Sequence, residues 1–349
     1  MSVLEIQNVG PATSVQDAGR FGAQRYGLVP SGAMDRFSLA IANCLVGNAV
    51  FDAAIEIGPL GAAFTARRGD IRLALAGATR NAAVADQSLS LNRTLVLHDG
   101  ETLTLGPARS GVFSYLAIEG GIAGEPVFGS LSVTARSGLG SPFPRPLQAG
   151  DLLTVGSAQL TAYERGLNLG PISGGPIRVV LGPQDDEFGT APELFLGSDW
   201  TVSVTSDRMG YRLEGPRLAH EHGHNIVSDG TVDGSIQVPG NGQPIVLMKD
   251  RGTTGGYPKI ATVITADLGR MAQLQPGQTV RFQSVSIAAA QAEAHALHRF
   301  LQSLPGRIIK ANDSGLDIDA LQDANVAGAV VNATDSTTWQ SQTKGGSVP

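Results

Sequence analysis

The sequence predicts a mainly β protein built as two strand-rich, barrel-like halves with few short helices and a helical C-terminal extension. Three observations carry that expectation. Apolar residues alternate with period two in most segments, as in Ile71-Leu73-Leu75 and Trp200-Val202-Val204, the pattern of half-buried strands. Glycine supplies 45 of 349 residues with no three-residue period, which suits frequent turns and excludes collagen and long helical bundles. The stretch 165–176, RGLNLGPISGGP, lacks periodicity and is rich in Gly and Pro, so it is the best linker. The expected organisation is 1–170 as the first barrel domain, 171–286 as the second, and 287–349 as the extension.

In chain order, the first clear helix begins after Asp35, which is placed to cap it. Phe37, Ile41, Cys44 and Leu45 share a face, and Gly47 ends it. Residues 70–118 read as a meander of strands, with Asp99-Gly100 between the alternating runs of TLVLHDGETLTL as a hairpin turn. Residues 235–264 read as a strand, a Pro-Gly-Asn-Gly turn, the strand Ile245–Met248, a loop, and the strand Ile260–Ile264. A short helix is expected over about 266–274. Beyond 285, Ile287, Ala290, Ala294, Leu297 and Leu301 form the stripe of a docking helix, and the final QSQTKGGSVP is expected to fray.

Composition bounds the function. With 42% hydrophobic and 16% charged residues the chain has enough apolar surface for a sizeable core. Its 25 Lys+Arg against 31 Asp+Glu give a net charge of −6, which argues against nucleic acid and anionic membranes as partners. The single cysteine, Cys44, excludes an internal disulfide and multi-cysteine metal sites, and its place on an apolar helix face marks it as a core residue. The N-terminus has neither a basic n-region nor an apolar h-region, and no run approaches a membrane span, so a cytoplasmic location is expected.

Three loops concentrate polar chemistry. KDRGTTGGYPK at 249–259 places Arg251 and Lys259 around Thr253, Thr254, Gly255 and Gly256, with Asp250 beside them. Backbone N–H groups flanked by two cations suit an anionic oxygen, be it phosphate, carboxylate or a developing oxyanion. The spacing is not that of a Walker A loop. The alternative is a Gly-rich hairpin carrying surface charges. In SDRMGYRLEGP at 206–216, Asp207 and Arg208 follow a strand, either aimed at a cleft or paired in a solvated turn. In 13–35, Asp17 and Arg20 sit in a long loop that is too apolar for disorder. Asn241 lies in the Pro-Gly-Asn-Gly turn. His220, His222 and His224 in HEHGHN lack a completing carboxylate, so no metal site is expected; His295 and His298 are expected at the helix surface.

The runs SVQDAGRFGAQRYGLVPSGAMDRFSLAIANCLVGN, LGPQDDEF, DWTVSVTSDRMGYRLEGP and SDGTVDGSIQVPGNGQPIVLMKDRGTTGGYPKIATV resemble, in order over about 3–285, the C subunit of bacterial 5-oxoprolinase complexes. This family is also labelled biotin-dependent carboxyltransferase or allophanate hydrolase subunit 2, and is related to the carboxyltransferase region of urea carboxylase. The resemblance implies two tandem cyclophilin-like β-barrels. It implies a subunit of an ATP-dependent amide (lactam) hydrolase that opens 5-oxo-L-proline to L-glutamate with A-type and B-type partner subunits. ATP is then a requirement of the complex, and this chain shows no nucleotide motif. For that chemistry Lys259, Arg251 and the 252–256 backbone suit the oxyanion. Asp207, Asp17 and Asp250 suit proton transfer, while Arg20 or Arg208 suit the substrate carboxylate and Asn241 joins the anion-binding set. Two alternatives stand beside it. One is the carboxyltransferase component of a biotin-dependent urea carboxylase, with biotin not attached to this chain. The other is a non-catalytic subunit antagonising a kinase inhibitor.

Overall fold

Strand pairing dominates the protein, as the period-two pattern requires. The computed structural model describes residues 1–85, 87–155, 164–169 and 174–311. The centre of the expected linker, 170–173, and the expected frayed tail lie outside the described residues. Among the described residues an 11-stranded sheet gathers chiefly the strands of residues 3–167, and an 8-stranded sheet gathers those between Ile177 and Ser284 apart from Asp229–Gly230 and Thr254–Gly255, which pair with each other. Met1–Lys310 form one compact unit, and one apolar cluster, from Ala33 to Leu304, draws on both sheets. A second cluster, from Leu4 to Val155, fills the interior of the first sheet alone. The start of the linker is ordered differently from the sequence expectation: Glu164–Leu167 is a strand, and its Gly166 pairs with Arg93.

The first sheet curls because its two longest strands are bulged. Ile71–Val84 runs antiparallel to Thr102–Ile118 from Leu73↔Ile118 to Val84↔Leu103, with register shifts at Gly77/Thr79, Thr79/Arg80 and Arg80/Ala82. Bulges of this kind bend and twist a strand locally, which brings a sheet toward closure. Gly77 is required there, since its φ is +105° and a Cβ would lie 2.5 Å from the Phe113 carbonyl oxygen. The predicted hairpin at Asp99-Gly100 is not formed. The turn exists, but the strands it joins, Arg93–Leu97 and Thr102–Ile118, pair on opposite sides of Ile71–Val84. The turn residues dock on a third strand instead, Gly100 N–H donating to the Ala66 carbonyl at 2.9 Å.

Among the described residues there are four α-helices: α1 (Arg36–Val46), α2 (Ala191–Gly197), α3 (Leu268–Ala272) and α4 (Ile287–Ser303). The caps of α1 are those expected. Asp35 accepts from the N–H groups of Phe37 and Ser38 at 3.0 and 3.2 Å, and Gly47 ends the helix at φ +81°. Its surroundings are not, because every residue from Ser38 to Val46 is buried, so α1 has no solvent face. Cys44 lies within this packing, and burial pushes its thiol pKa up. In α4 the stripe holds at Leu301, which is buried, while Ile287 at its start is exposed; His295 and His298 are exposed as expected. Among the described residues no helix is long and apolar enough to cross a membrane.

The end of α3 is tied to the first sheet by Gln273. Its Oε1 accepts from the N–H groups of Val112 and Phe113 at 2.7 and 3.0 Å. Its Nε2 donates to the Phe113 carbonyl and to Asp35, both at 2.9 Å. Leaving such buried groups unpaired costs about 1–3 kcal/mol. Gln273→Leu should therefore lower the unfolding free energy from urea titration by that amount with an unchanged slope, and a change under ~0.5 kcal/mol would show the tie to be dispensable.

Candidate functional site

The loop 249–259 leaves the strand Ile245–Leu247 and returns as the strand Lys259–Val263, so both of its ends are anchored in the second sheet. The structure sorts the predicted residues around it into three clusters.

The first is buried and built on Arg208. Its Nε and Nη2 donate to the two oxygens of Asp250 at 2.8 and 3.1 Å, its Nη1 to Glu56, and Nη2 also to the Gly32 carbonyl at 2.9 Å. Glu56 is fully buried and further accepts from Met34 N–H at 2.8 Å and Tyr115 O–H at 2.7 Å. Burial opposes the charge on Arg208, but Glu56 and Asp250 outweigh it and hold the guanidinium above its ordinary pKa. Arg208, expected to meet a substrate carboxylate, and Asp250, expected in proton transfer, thus pair with each other, joined by Glu56, a carboxylate that belongs to none of the three polar loops. Asp207, one residue away, is exposed and accepts from the N–H groups of Met209 and Gly210 in its own turn.

The second cluster holds Lys259. Its side chain is 3% exposed and its ammonium lies 2.8 Å from Asp229, whose carboxylate also accepts from Gly230 N–H at 2.7 Å and from the Gln184 amide at 3.3 Å. Asp229 pairs with Gly255 and Gly230 with Thr254 in a two-stranded ladder. Lys259 is therefore tied to the strand that pairs with Thr254-Gly255. The Lys259 hydrogen bond draws the Asp229 pKa below the usual carboxylate range. A Cβ on Gly255 would lie 2.3 Å from the Gln237 amide nitrogen, so a larger residue there would have to displace that side chain. Elsewhere in the loop the carbonyls of Gly252, Thr253 and Gly256 accept from Thr231 and Ile226.

The third cluster holds Arg251. Its guanidinium and the Lys249 ammonium both pair with Asp233, the latter at 2.6 Å, on the wall of a cleft of about 1270 Å³. Arg36, at the start of α1, lines the same cleft with its guanidinium 4.3 Å from the centre of the Phe51 ring. The remaining candidates stand apart. Asp17 accepts from Gly19 N–H, Leu131 N–H and the Ser130 and Ser132 hydroxyls, and Arg20, 1% exposed, donates to Ser132 and Thr134. Both therefore fasten the 13–35 loop to residues 127–134. Asn241 is exposed and accepts from Gln243 N–H in its turn. His220 donates to the Val238 carbonyl at 2.9 Å, with its ring against Phe188.

The residues missed from sequence are Glu56, Asp229, Asp233, Lys249, Arg36 and Gln184. Only Glu56 carried a signal: a carboxylate inside the apolar run AIEI, all four residues of which are buried, must have a partner.

Comparison with known proteins gives a consistent set of relatives. Residues 26–284 match the family described as carboxyltransferase domain, subdomain A and B. The chain is similar to the C subunit of 5-oxoprolinase from Escherichia coli (strain K12), 38% identical over 89% of this chain and 100% of that protein. It is 35% identical to the C subunit of 5-oxoprolinase from Haemophilus influenzae, over 82% of this chain and 93% of that one. In structure it resembles the urea amidolyase of K. lactis, with a TM-score of 0.80 and 28% identity, covering 90% of this chain and 20% of that chain.

Removing one partner from a buried charge pair leaves the other uncompensated, at a cost of about 3–5 kcal/mol. Arg208→Met should destabilise the chain by that much in urea unfolding. Adding Glu56→Gln should recover part of the loss, since it removes the stranded charge. A single-variant cost under ~1 kcal/mol would mean that the Arg208 cluster does not hold the loops together.

Proposed function

We propose a function from one premise: the chain belongs to the family of the carboxyltransferase domain, subdomains A and B. It acts as the C-type subunit of an ATP-dependent 5-oxoprolinase that opens 5-oxo-L-proline to L-glutamate together with A-type and B-type subunits. The observation that carries this reading is sequence identity, 38% to the C subunit of Escherichia coli 5-oxoprolinase against 28% to the K. lactis urea amidolyase.

The reaction adds water across the lactam C–N bond: the carbonyl carbon gains the hydroxyl and the ring nitrogen leaves as the amine. The amide is a poor electrophile, so its oxygen must be activated, and ATP supplies that activation in the complex. This chain's part is electrostatic. Cations fixed before the reaction stabilise oxyanion charge as it develops, because they need no reorganisation. Lys259, paired with Asp229 on the strand that ladders with Thr254-Gly255, is the cation so fixed. Carboxyl transfer makes a similar demand on fixed cations, and the match to urea amidolyase supports it as a second reading, with biotin carried on another chain.

Co-expression with A-type and B-type subunits tests the assignment. The three chains should co-elute in size exclusion and release glutamate from 5-oxoproline only with ATP. Separate elution at micromolar concentration, or activity with urea and biotin carboxylase components alone, would overturn it. In the assembled complex Lys259→Ala should lower kcat/KM by about 10²–10³. Lys259→Arg should not restore it fully, a planar fork being a poor substitute for a compact ammonium. If Lys259→Ala keeps more than about a tenth of wild-type kcat/KM, Lys259 only braces Asp229.

A further inference from the structure

The basic wall of the large cleft carries more positive charge than the chain neutralises. Arg36, Lys249 and Arg251 gather there around Asp233, which pairs with Lys249 and Arg251 and lies within the electrostatic reach of Arg36. Asp35, the other carboxylate lining the cleft, has its oxygens on the N–H groups of Phe37 and Ser38, the Ser38 hydroxyl and the Gln273 amide. Around Asp233 three cations thus meet one carboxylate, a local excess of two positive charges; Asp35 keeps its own charge but is not among the groups acting on Arg36, Lys249 or Arg251. Arg36 makes no hydrogen bond or ion pair among the described residues. Its guanidinium rests over Phe51 at 4.3 Å, and a ring face attracts a cation without neutralising it.

A second observation is independent of the charge count. The Nε atoms of Arg36 and Arg251 are buried and lack any hydrogen-bond partner, and Arg251 as a residue is only 4% exposed. Buried donors are ordinarily satisfied, so these two guanidinium groups are incompletely paired by the polypeptide. Burial also pushes Lys249, Arg36 and Arg251 below their ordinary pKa values, Asp233 opposing the shift in each case. All three results describe a site organised for an anion that the polypeptide does not supply.

We propose that this wall binds a doubly charged oxyanion, a phosphoryl group, either as free phosphate or as the terminal group of a larger phosphate compound lying in the cleft. A lone carboxylate would match one of the two residual charges and leave the other buried. A phosphate dianion matches both and offers several oxygens to the guanidinium and ammonium donors. The cleft, about 1270 Å³ and walled in part by Phe21, Phe37 and Leu297, leaves room for a body behind the phosphoryl group. The inference rests on charge and hydrogen-bond balance and is independent of which reaction the complex performs.

The test uses the full-length chain in phosphate-free buffer, with titration calorimetry and thermal melting. Inorganic phosphate, pyrophosphate, ATP and 5-oxoproline are added separately. Phosphate and pyrophosphate should bind and raise Tm, and Arg36→Met and Lys249→Met should each weaken that binding by about tenfold or more. ATP binding more tightly than pyrophosphate would identify a nucleotide as the source, and equal or weaker binding would identify the free anion. Without ligand, Arg36→Met should melt at or above the wild-type temperature, because it removes an unpaired cation. The proposal is overturned if no phosphate compound binds at millimolar concentration, or if 5-oxoproline alone binds in an Arg36-dependent way. It also falls if Arg36→Met lowers Tm while phosphate affinity is unchanged, since Arg36 would then be only a stacking residue on Phe51.

Discussion

The burial of one guanidinium, that of Arg208, constrains the arrangement of every loop near the candidate site. A charged group taken out of water is tolerated only where its donors are met, and Arg208 meets them with residues far apart in sequence. Glu56 comes from a strand of the first sheet, Ser31 and Gly32 from the loop before α1, and Asp250 from the turn after a strand of the second sheet. The planar fork accepts this set in one geometry only. A displacement of any of the three segments would strand a charge, so their relative positions are fixed together. Asp250 is the point at which this constraint reaches the 249–259 loop. With its carboxylate held on Arg208, its neighbours Lys249 and Arg251 both turn to Asp233 and hence to the cleft wall.

Further hydrogen bonds carry the constraint into α1. The Glu56 carboxylate accepts from Tyr115, whose hydroxyl oxygen in turn accepts from the Asp35 N–H at 2.7 Å. Asp35 caps α1 and receives the Gln273 amide from the end of α3. The start of α1, two strands of the first sheet and the end of α3 therefore meet in one polar chain. Because Arg36 directly follows the cap, its place on the cleft wall is a consequence of the same chain. Networks of this kind are costly when incomplete and rigid when complete, which suits a site whose cations must be set before a ligand arrives.

Much of the fold was legible because strand alternation and helix caps are local signals. The period-two runs became strands, Asp35 and Gly47 bounded α1, and the short helix near 268–272 formed where expected. The Asp99-Gly100 hairpin failed because a turn dipeptide specifies a reversal, not which strands pair after it. There the long strand Ile71–Val84 intervenes between the two runs. The site shows the same division. Gly-rich loops with charges drew attention to Arg208, Asp250, Arg251 and Lys259, and the structure places all four in ion pairs. Their partners were hidden, since Arg208 and Glu56 lie 152 residues apart, and Asp229 and Asp233 sit in a stretch with no pattern of its own. Sequence spacing can nominate a charged loop, but it cannot tell which of its charges the fold neutralises.

That distinction separates the two faces of the 249–259 loop. On one face Lys259 and Asp229 form a one-to-one pair, and the carboxylate is half exposed, at 53%. Such a pair is balanced at rest, so any anion that uses Lys259 must compete with Asp229, which water can solvate as it yields. On the other face Asp233 is shared by two cations, with Arg36 as a third within its field, and the excess charge is enclosed by a cleft wall. Here an incoming anion displaces nothing and completes a deficit. The first arrangement favours transient stabilisation of charge that appears during a reaction; the second favours standing affinity for a charge already present. Since both faces hang on a loop pinned at Asp250, binding at the wall and chemistry at the edge share one mechanical anchor.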